Sequence, residues 1–309
     1  MKILVTGGCG NMGPHVVNAF VQQGHSVRVM DRDAEGLKQF THPKVETLAC
    51  NITDKEKIRD AVKGVDAVLH LAWSFSEDLN DLLDIDVKGY RNILDAAVEF
   101  GVQSVLNATT AVSYGKPLSK VVDETQAHLV EKSRNPVYAL AKLATETLSK
   151  IYAEQHGIAA NNIMIWYAYG DVIGGRNLRA MAKDAIEKGE VVVPAGSGGS
   201  FLQLDDFANC ALAIFDKKPK GELFNVATMY LTWEDLAKMI AGHANPNAKV
   251  IAIPKEQWTG SDFLVDDWEF STAKAETMVG YRTTLNRDAA IAHLSKALAT
   301  CVDGVKAKM

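Results

Sequence analysis

The sequence predicts an α/β fold, a doubly wound parallel sheet with a smaller C-terminal lobe. Three observations predict it: apolar runs alternate with amphipathic segments, a glycine-rich turn follows the first run, and the alternation loosens after about residue 170. With 309 residues, the chain is long enough for two coupled domains. We expect residues 1–170, with a returning segment near 201–228, to form the sheet domain. Residues 171–200 and 229–309 would form the lobe.

The alternation places each element in turn. Apolar runs predict strands at Lys2–Thr6, Ser26–Asp31, Val45–Ala49, Asp66–Leu71, Val102–Ala108 and Ile163–Trp166. Amphipathic segments predict helices at Asn11–Gly24, Ala34–Phe40, Asp54–Lys63, about Asp81–Phe100, and from Pro136 to about Gln155. Glycine pairs at 174–175 and within 196–200 are read as breaks. Strands that alternate with helices in this way form βαβ units, so we expect helices on both faces of the sheet.

Composition and charge exclude several functional classes. The chain is 47% hydrophobic and 23% charged, with a net charge of −5. A mildly acidic chain without a Lys/Arg block predicts no nucleic acid and no membrane as partner. Four scattered cysteines and eight histidines without ligand spacing predict no metal site. The unpaired cysteines and the lack of a signal or of roughly 18 consecutive apolar residues predict a cytoplasmic location.

A glycine-rich turn links the first strand to the first helix. Gly7, Gly10 and Gly13 follow each other at three-residue intervals, with Asn11 and Met12 between the last two. Such glycines permit a tight turn and let backbone N–H groups approach a pyrophosphate at the helix N-terminus. A strand before the turn and a helix after it are the context that a dinucleotide loop requires, so we expect this turn to bind a dinucleotide.

An acidic residue ends the second strand. Asp31 can accept hydrogen bonds from both ribose hydroxyls of an adenosine, and its charge would repel a 2′-phosphate. Arg32 follows directly and could tolerate a phosphate. The pair therefore favours NAD, with NADP as the weaker alternative.

A third pattern lies on the helix that begins at Pro136. Asn135 is suited to cap that helix, and Tyr138 and Lys142 share one of its faces at i, i+4 spacing. A nearby cation favours the phenolate, so we expect Lys142 to lower the pKa of Tyr138 and to prepare it for acid–base chemistry. Such a pair also arises by chance, but the preceding dinucleotide loop favours the catalytic interpretation. Thr110 follows a strand, where a hydroxyl can reach a ligand.

Together these motifs resemble the extended short-chain dehydrogenase/reductase family, also called the NAD-dependent epimerase/dehydratase family, most strongly over residues 1–170. The matching segments are the TGGxGxxG loop at Thr6–Gly13, the ribose-binding Asp31, the adenine-contacting stretch Asn51–Asp54, the HLA segment His70–Ala72, Thr110 four residues before Tyr114, the YxxxK pair Tyr138 and Lys142, Leu204–Asp206 and Phe224–Val226. Residues 1–170 would then be an NAD-binding, Rossmann-type domain, and the smaller lobe would bind substrate.

The resemblance also implies residue roles. Tyr138 would move the proton of a substrate hydroxyl, Thr110 would orient that oxygen, and Lys142 would tune Tyr138 and hold the nicotinamide ribose. Besides the glycine loop, Asp31 and Arg32, the implied cofactor contacts are Asn51, Ile52, Leu71, Ala72, Trp73, Tyr138 and Lys142. In this family the two long helices pair across a two-fold axis, which implies a homodimer.

Departures from the family pattern narrow the chemistry. Ala111 and Val112 stand where dehydratases carry an Asp-Glu pair, which argues against dehydration. Met164 stands where nucleotide-sugar enzymes carry an arginine, and the segment 198–201 lacks a second one. A diphosphate would therefore be poorly compensated, unless Arg176 and Arg179, which are nearby in sequence, substitute.

In relatives an asparagine at the position of Asp86 supports a helix kink and a proton path. The aspartate replaces it here, so the sequence does not decide how a proton relay would run. Ser74, Phe75, Thr110 and Tyr167 are the candidate substrate contacts, and with Trp73 and Trp166 they would make an uncharged, aromatic-walled site. Core packing explains each aromatic residue equally well.

Three functions compete on the sequence alone. The favoured one is an NAD-dependent dehydrogenase or reductase that transfers hydride between nicotinamide and a secondary alcohol or carbonyl of a small molecule, with sugar derivatives among the candidates. The alternative is an NAD-dependent sugar epimerase, in which the oxidation is transient. A non-catalytic dinucleotide-binding sensor ranks third, because it has no chemical need for Thr110, Tyr138 and Lys142.

Overall fold

The computed structural model describes all 309 residues. Its strands are β1 (Lys2–Thr6), β2 (Ser26–Asp31), β3 (Val45–Ala49), β4 (Ala67–His70), β5 (Ser104–Thr110), β6 (Val121–Val122), β7 (Ala159–Ile165), β8 (Tyr167–Tyr169), β9 (Glu190–Pro194), β10 (Gly198–Gln203), β11 (Leu223–Asn225), β12 (Met229–Thr232), β13 (Lys249–Ile253) and β14 (Asp267–Phe270). Its α-helices are α1 (Gly13–Gln22), α2 (Lys55–Val62), α3 (Leu79–Asp81), α4 (Lys88–Glu99), α5 (Pro136–His156), α6 (Arg176–Glu187), α7 (Leu204–Lys217), α8 (Trp233–Ala244), α9 (Ala273–Val279) and α10 (Arg287–Lys306).

Seven parallel strands form the central sheet, in the order β3-β2-β1-β4-β5-β7-β11. Side chains alternate across it: Ile3 and Val5 of β1 join the core under α1 and α7, and Leu4 joins the core under α2 and α4. Both faces are therefore covered by helices, which confirms the predicted doubly wound α/β class. Because all seven strands run in parallel, their carboxyl ends meet at one edge, where ligands of such sheets bind.

The rest of the chain builds a second layer system. Strands β12, β10, β14 and β6 form a sheet that β8 joins, and β13 pairs with β9. Helices α6, α8 and α10 surround a core of 31 buried residues that includes Trp233 and Trp268. The division of the chain into two domains stays a prediction, but β11 does lie at the edge of the central sheet.

Some element boundaries differ from the sequence expectation. Strand β7 begins at Ala159 rather than Ile163, because two asparagines in the run are buried and bonded: Asn161 to the Pro219 carbonyl at 2.7 Å and Asn162 to the Asn107 amide at 2.9 Å. Strand β5 extends to Thr110. The expected break at 196–200 contributes to β10, whose six residues are all buried.

The segment expected to be a helix at Ala34–Phe40 is a 3₁₀ turn at Gly36–Gln39. The long helix expected at Asp81–Phe100 contains a π-helical turn at Leu82–Val87 between α3 and α4. No helix is both long and apolar enough to cross a membrane. No group of three or more His, Cys, Asp or Glu side chains is placed to share a metal ion.

Candidate active site

The glycine turn lies at the carboxyl edge of the central sheet. Gly7 has a φ of +68°, and a Cβ there would lie 2.6 Å from the Ala72 backbone nitrogen, so the residue must lack a side chain. A Cβ at Gly13 would overlap the Gly8 carbonyl oxygen. Helix α1 begins with Met12 as its N-cap and without a side-chain cap. The Gly13 N–H donates to the Gly10 carbonyl at 3.1 Å and Pro14 has no N–H, so the groups left for a ligand are the N–H groups of Asn11, Met12 and His15. Asn11 itself is exposed.

Asp31 is bonded to this turn. Its carboxylate accepts the Cys9 N–H at 2.9 Å and the Asp33 N–H at 3.0 Å, so the end of β2 and the glycine turn are held together. Next to it, the Asn51 carboxamide oxygen accepts from the backbone and hydroxyl of Thr53, both at 3.1 Å. Because Thr53 already occupies that oxygen, Asn51 would contact an adenine through its side-chain NH₂ group or its backbone.

An open cleft of about 470 Å³ runs along this edge. Half of the fourteen predicted cofactor contacts lie among its lining residues, which are Gly7, Met30, Asp31, Arg32, Cys50, Asn51, Ile52, Ala72, Trp73, Ser74, Ile85 and Asp86. Leu71 lies at the end of β4, where its N–H donates to the Thr6 carbonyl at 3.2 Å. Met30, Cys50 and Ile85 are lining residues that motif spacing did not indicate.

Asp86 lies in the π-helical turn and is almost fully buried. Its carboxylate accepts the Ser74 N–H at 2.7 Å and the Ser74 hydroxyl at 2.6 Å. Burial raises the pKa of Asp86, while the Ser74 hydrogen bonds and the Lys142 charge oppose that rise. The Ser74 hydroxyl, a predicted substrate contact, is therefore already bonded within the protein.

Tyr138 and Lys142 lie on α5 behind Trp73. The Lys142 ammonium donates to the Ala108 carbonyl at 3.0 Å and lies 3.5 Å from the centroid of the Trp73 ring. The Tyr138 ring meets Trp73 edge-on, with centroids 5.4 Å apart. Burial lowers the pKa of Lys142 to about 7, although Asp86 and Glu146 pull it upward.

The pKa of Tyr138 differs from the sequence expectation. Burial raises it, and the cation that opposes this rise is Arg134, not Lys142. The Lys142 nitrogen is 5.9 Å from the centroid of the phenol ring and faces the Trp73 indole instead.

A buried polar cluster that motif reading missed supports Lys142. Glu146 lies one turn further along α5, is 2% exposed and accepts the Thr109 hydroxyl. His128 lies 3.7 Å from the other Glu146 oxygen, which has no hydrogen-bond partner. Burial raises the pKa of Glu146, and His128 and Thr109 oppose that rise. The sequence feature that could have indicated this cluster is the i, i+4 spacing of Lys142 and Glu146 on one helix.

The remaining predicted substrate contacts are dispersed. Thr110 ends β5 with its side chain on the opposite face from Thr109, and its hydroxyl makes no hydrogen bond. Tyr167 donates its hydroxyl to the Gly174 carbonyl at 2.5 Å. Phe75 is 77% exposed and has a φ of +56°, so its ring lines no enclosed surface.

An aromatic cluster lies in the second layer system: Trp166, Tyr167, Phe201, Trp233 and Phe263. The Trp166 and Phe263 rings stack with centroids 5.3 Å apart at 14°. A Cβ at Gly199 would lie 2.5 Å from the Trp166 ring, so this indole occupies the space of a side chain there. The Arg134 guanidinium carbon lies 4.6 Å from the Phe263 centroid, which connects the aromatic cluster to the start of α5.

Comparison with known proteins places this geometry in a family. A family model described as the NAD dependent epimerase/dehydratase family matches residues 3–227. A UDP-N-acetyl-alpha-D-glucosaminuronate decarboxylase of Bacillus cytotoxicus is 26% identical over 274 residues, which are 83% of this chain and 84% of that protein. An uncharacterized protein of Sinorhizobium fredii is 26% identical over 257 residues, covering 81% of this chain but only 62% of its own length.

Solved structures share the fold. UDP-glucose 4-epimerase from Thermotoga maritima, with UDP-glucose, has a TM-score of 0.76 at 21% identity and covers 100% of this chain and 99% of its own. The Bordetella bronchiseptica enzyme WbmG, in complex with NAD, has a TM-score of 0.76 at 20% identity and covers 100% of this chain and 94% of its own. Since the family match spans well over half of the sequence, the chain belongs to the NAD-dependent epimerase/dehydratase family and is an enzyme of that extended short-chain dehydrogenase/reductase type.

Proposed function

We propose that this enzyme is an oxidoreductase that transfers hydride between NAD and a secondary alcohol or carbonyl of a small molecule. One observation carries the proposal: Tyr138 and Lys142 share one face of α5, and both contact Trp73, which lines the cleft at the glycine turn. A proton-transferring group and a dinucleotide cleft therefore adjoin. Such adjacency is what an alcohol oxidation requires, because hydride and proton leave neighbouring atoms.

The residues of the cleft fit a dinucleotide. Gly7 approaches the Ala72 backbone so closely that no side chain fits, which leaves the turn flat enough for a pyrophosphate. The N–H groups of Asn11 and Met12, which have no protein acceptor, can bond its oxygens, and Asp31 can accept ribose hydroxyls. When bound, the nicotinamide accepts or donates the hydride.

Within this arrangement each residue has a chemical task. In reduction the Tyr138 phenol donates its proton to the substrate oxygen. In oxidation the Tyr138 phenolate, which burial disfavours and the Arg134 charge favours, accepts the proton of the substrate hydroxyl. Thr110, whose hydroxyl has no protein partner, orients the reacting oxygen at the end of β5. Lys142 lies 5.9 Å from the centroid of the phenol ring, and Asp86 and Glu146 favour its charged form against the effect of burial. Lys142 can reach a ribose only if the Trp73 ring moves aside, because that ring now covers the ammonium.

Replacement of Tyr138 tests this mechanism. We expect Tyr138→Phe to lower kcat by about 10²- to 10⁴-fold while NAD affinity stays unchanged. Tyr152→Phe is the matched control, since it removes a hydroxyl from the same helix, where that hydroxyl bonds Asp95. Turnover retained in Tyr138→Phe would refute the mechanism and would revive a non-catalytic role for the pair.

We further propose NAD rather than NADP as the cofactor. Asp31 lines the cleft and would repel a 2′-phosphate, although Arg32 lines it too. Calorimetry of NAD and NADP binding tests this proposal. We expect Asp31→Asn to bring the dissociation constants of the two cofactors closer together. Tighter binding of NADP to the parent protein would contradict the proposal.

A sugar epimerase is the second candidate, favoured by the similarity to nucleotide-sugar enzymes. An epimerase reuses its cofactor in place, whereas a dehydrogenase exchanges it. Mass spectrometry of the nucleotide released by denaturing fresh protein separates the two. Near-stoichiometric NAD would favour the epimerase, and an empty protein that binds added NAD would favour the dehydrogenase.

A homodimer is also proposed. Leu140 and Ile151 of α5 and Leu83 of the π-helical turn remain partly exposed, at 45%, 36% and 42%. A second copy could cover them by pairing the two long helices. Solution scattering tests this, and a particle of monomer mass would refute it.

A further inference from the structure

Arg134 is a cation beside the Tyr138 phenol that no motif indicated. It directly precedes Asn135, the N-cap of α5, and lies one helical turn before Tyr138. Tyr138 follows it four positions later, and the Arg134 charge lowers the pKa of the phenol against the larger effect of burial. The residue as a whole is exposed, although partial burial of the guanidinium lowers its pKa.

The Arg134 guanidinium has no protein partner for its five N–H donors. The carboxylate whose charge it feels most strongly, Asp266, is already paired with Lys116 at 2.7 Å. By contrast, Arg28 donates to three backbone carbonyls and to Glu46, and Arg59 pairs with Glu99. Arg134 is therefore available to a ligand.

The aromatic cluster holds this arginine in place. Its guanidinium lies over the Phe263 ring, and Phe263 is stacked on the buried Trp166. A guanidinium that stacks by its face keeps its N–H groups free at the edges. The result is a preorganised donor fork on an apolar platform, next to a group that transfers protons.

We propose that Arg134 is a specificity-determining residue that binds an oxyanion of the substrate, either a carboxylate or a phosphate, while Tyr138 bonds the reacting oxygen. The planar fork matches both oxyanions and can bond either through two parallel hydrogen bonds. This inference rests on the proposed oxidoreductase function and narrows its substrates to alcohols or carbonyl compounds that carry such a group. A neutral alcohol would leave the fork without a partner.

Binding of oxyanions that lack a reacting alcohol tests the proposal. Malonate and UDP, as probes for a carboxylate and a diphosphate, are titrated by calorimetry into the NAD-loaded parent protein and into Arg134→Met and Arg134→Lys. We expect at least one probe to bind the parent, at least 10-fold weaker binding by Arg134→Met, and partial recovery in Arg134→Lys. The probe that responds identifies the source of the oxyanion.

Arg176→Met tests the rival arginine. Arg176 also has no protein partner, lies on the surface of α6, and is a candidate from the sequence for compensating a diphosphate. We expect it to bind the probes as the parent does. Equal affinity in Arg134→Met, loss of binding in Arg176→Met alone, or no binding of either probe to the parent at millimolar concentration would overturn the proposal. Failure of the oxidoreductase function would instead be seen in the Tyr138→Phe assay, since probe binding involves no hydride transfer.

Discussion

In both the cofactor cleft and the aromatic cluster, a glycine lets another group lie very close to the backbone, but the kind of group differs. At the cleft, backbone meets backbone: Gly7 contacts the Ala72 main chain, and Gly13 contacts the Gly8 carbonyl. In the aromatic cluster, a large side chain meets backbone, since the Trp166 ring lies against Gly199. In the function proposed above, the first region presents backbone donors to NAD, and the rings of the second support Arg134.

This difference affects how well each region tolerates substitutions. Backbone at a tight turn cannot move without losing its hydrogen bonds, such as those from Gly10 to Gly7 and from Gly13 to Gly10 at 3.0 and 3.1 Å. A packed ring can shift by small rotations of neighbouring side chains. We therefore expect substitutions in the cleft to affect stability and NAD affinity together, and substitutions in the aromatic cluster to affect stability without changing NAD affinity.

Gly13→Ala is expected to have the largest effect. Its Cβ would overlap the Gly8 carbonyl, so the turn must open, which costs about 3 kcal/mol of unfolding free energy and weakens NAD binding more than 10-fold. Denaturant unfolding and calorimetry measure the two effects. Gly242→Ala is the matched control, because a Cβ there meets nothing within 4 Å inside α8. If Gly13→Ala lost stability but kept NAD affinity, the two regions would not differ as argued.

Gly199→Ala is the corresponding change in the aromatic cluster. The new Cβ would lie 2.5 Å from the Trp166 ring, and we expect a loss of about 2 kcal/mol with unchanged NAD affinity. Combining it with Trp166→Phe should relieve part of the clash, so the two changes would be non-additive. Additive losses in denaturant unfolding would show that the ring is not what opposes a side chain at this position.

The same difference explains what could be predicted from the sequence. The glycine turn, Asp31 and the YxxxK pair are local patterns with fixed spacing, and the strand–helix alternation needs only short windows of sequence. Arg134 and Phe263 are far apart in the chain, so no local pattern relates them. The uncharged, aromatic-walled site expected around Trp73, Trp166 and Tyr167 stays a prediction. The Arg134 guanidinium over Phe263, whose ring stacks on Trp166, could not be foreseen from it.

Buried polar groups account for the remaining differences. Asn161 and Asn162 resemble loop residues in the sequence, but both lie in β7 because partners on neighbouring segments satisfy their amides. The pKa of Tyr138 likewise depends on burial and on the Arg134 charge, whereas Lys142 lies against Trp73, and helix spacing determines none of these.

The pH dependence of the unfolding free energy tests how strongly burial disfavours the charged form of Lys142. Folded Lys142 releases its proton near a pKa of about 7, whereas the unfolded chain keeps it until about pH 10.5. Between these values the unfolded state binds more protons, so this residue makes stability rise with pH. We expect the unfolding free energy of the parent to gain on that of Lys142→Met by up to about 1.4 kcal/mol per pH unit from pH 7.5 to 9.5. Parallel curves would mean that Lys142 is not desolvated.

The smallest expected effects on stability come from the loss of two helix caps, only one of which lies next to Tyr138. The Asn135 side chain accepts the Tyr138 N–H at 3.2 Å at the start of α5, and the Thr232 side chain accepts the Asp235 N–H at 3.1 Å at the start of α8. Each cap satisfies one otherwise unpaired N–H of its helix. Loss of either cap, in Asn135→Ala or Thr232→Ala, should cost about 1 kcal/mol in denaturant unfolding.

The two variants should differ in turnover, although their losses of stability are similar. Asn135 bonds the backbone of Tyr138 itself and adjoins Arg134, so release of the first turn of α5 moves the proton-transferring phenol. Since a displacement of about 1 Å can cost up to 10²-fold in rate, we expect kcat to fall several-fold in Asn135→Ala and to stay unchanged in Thr232→Ala. Equal kcat in both variants would mean that the first turn of α5 is held by packing rather than by its cap. In that case the position of Tyr138 would depend on its contact with Trp73 and on the polar cluster around Glu146.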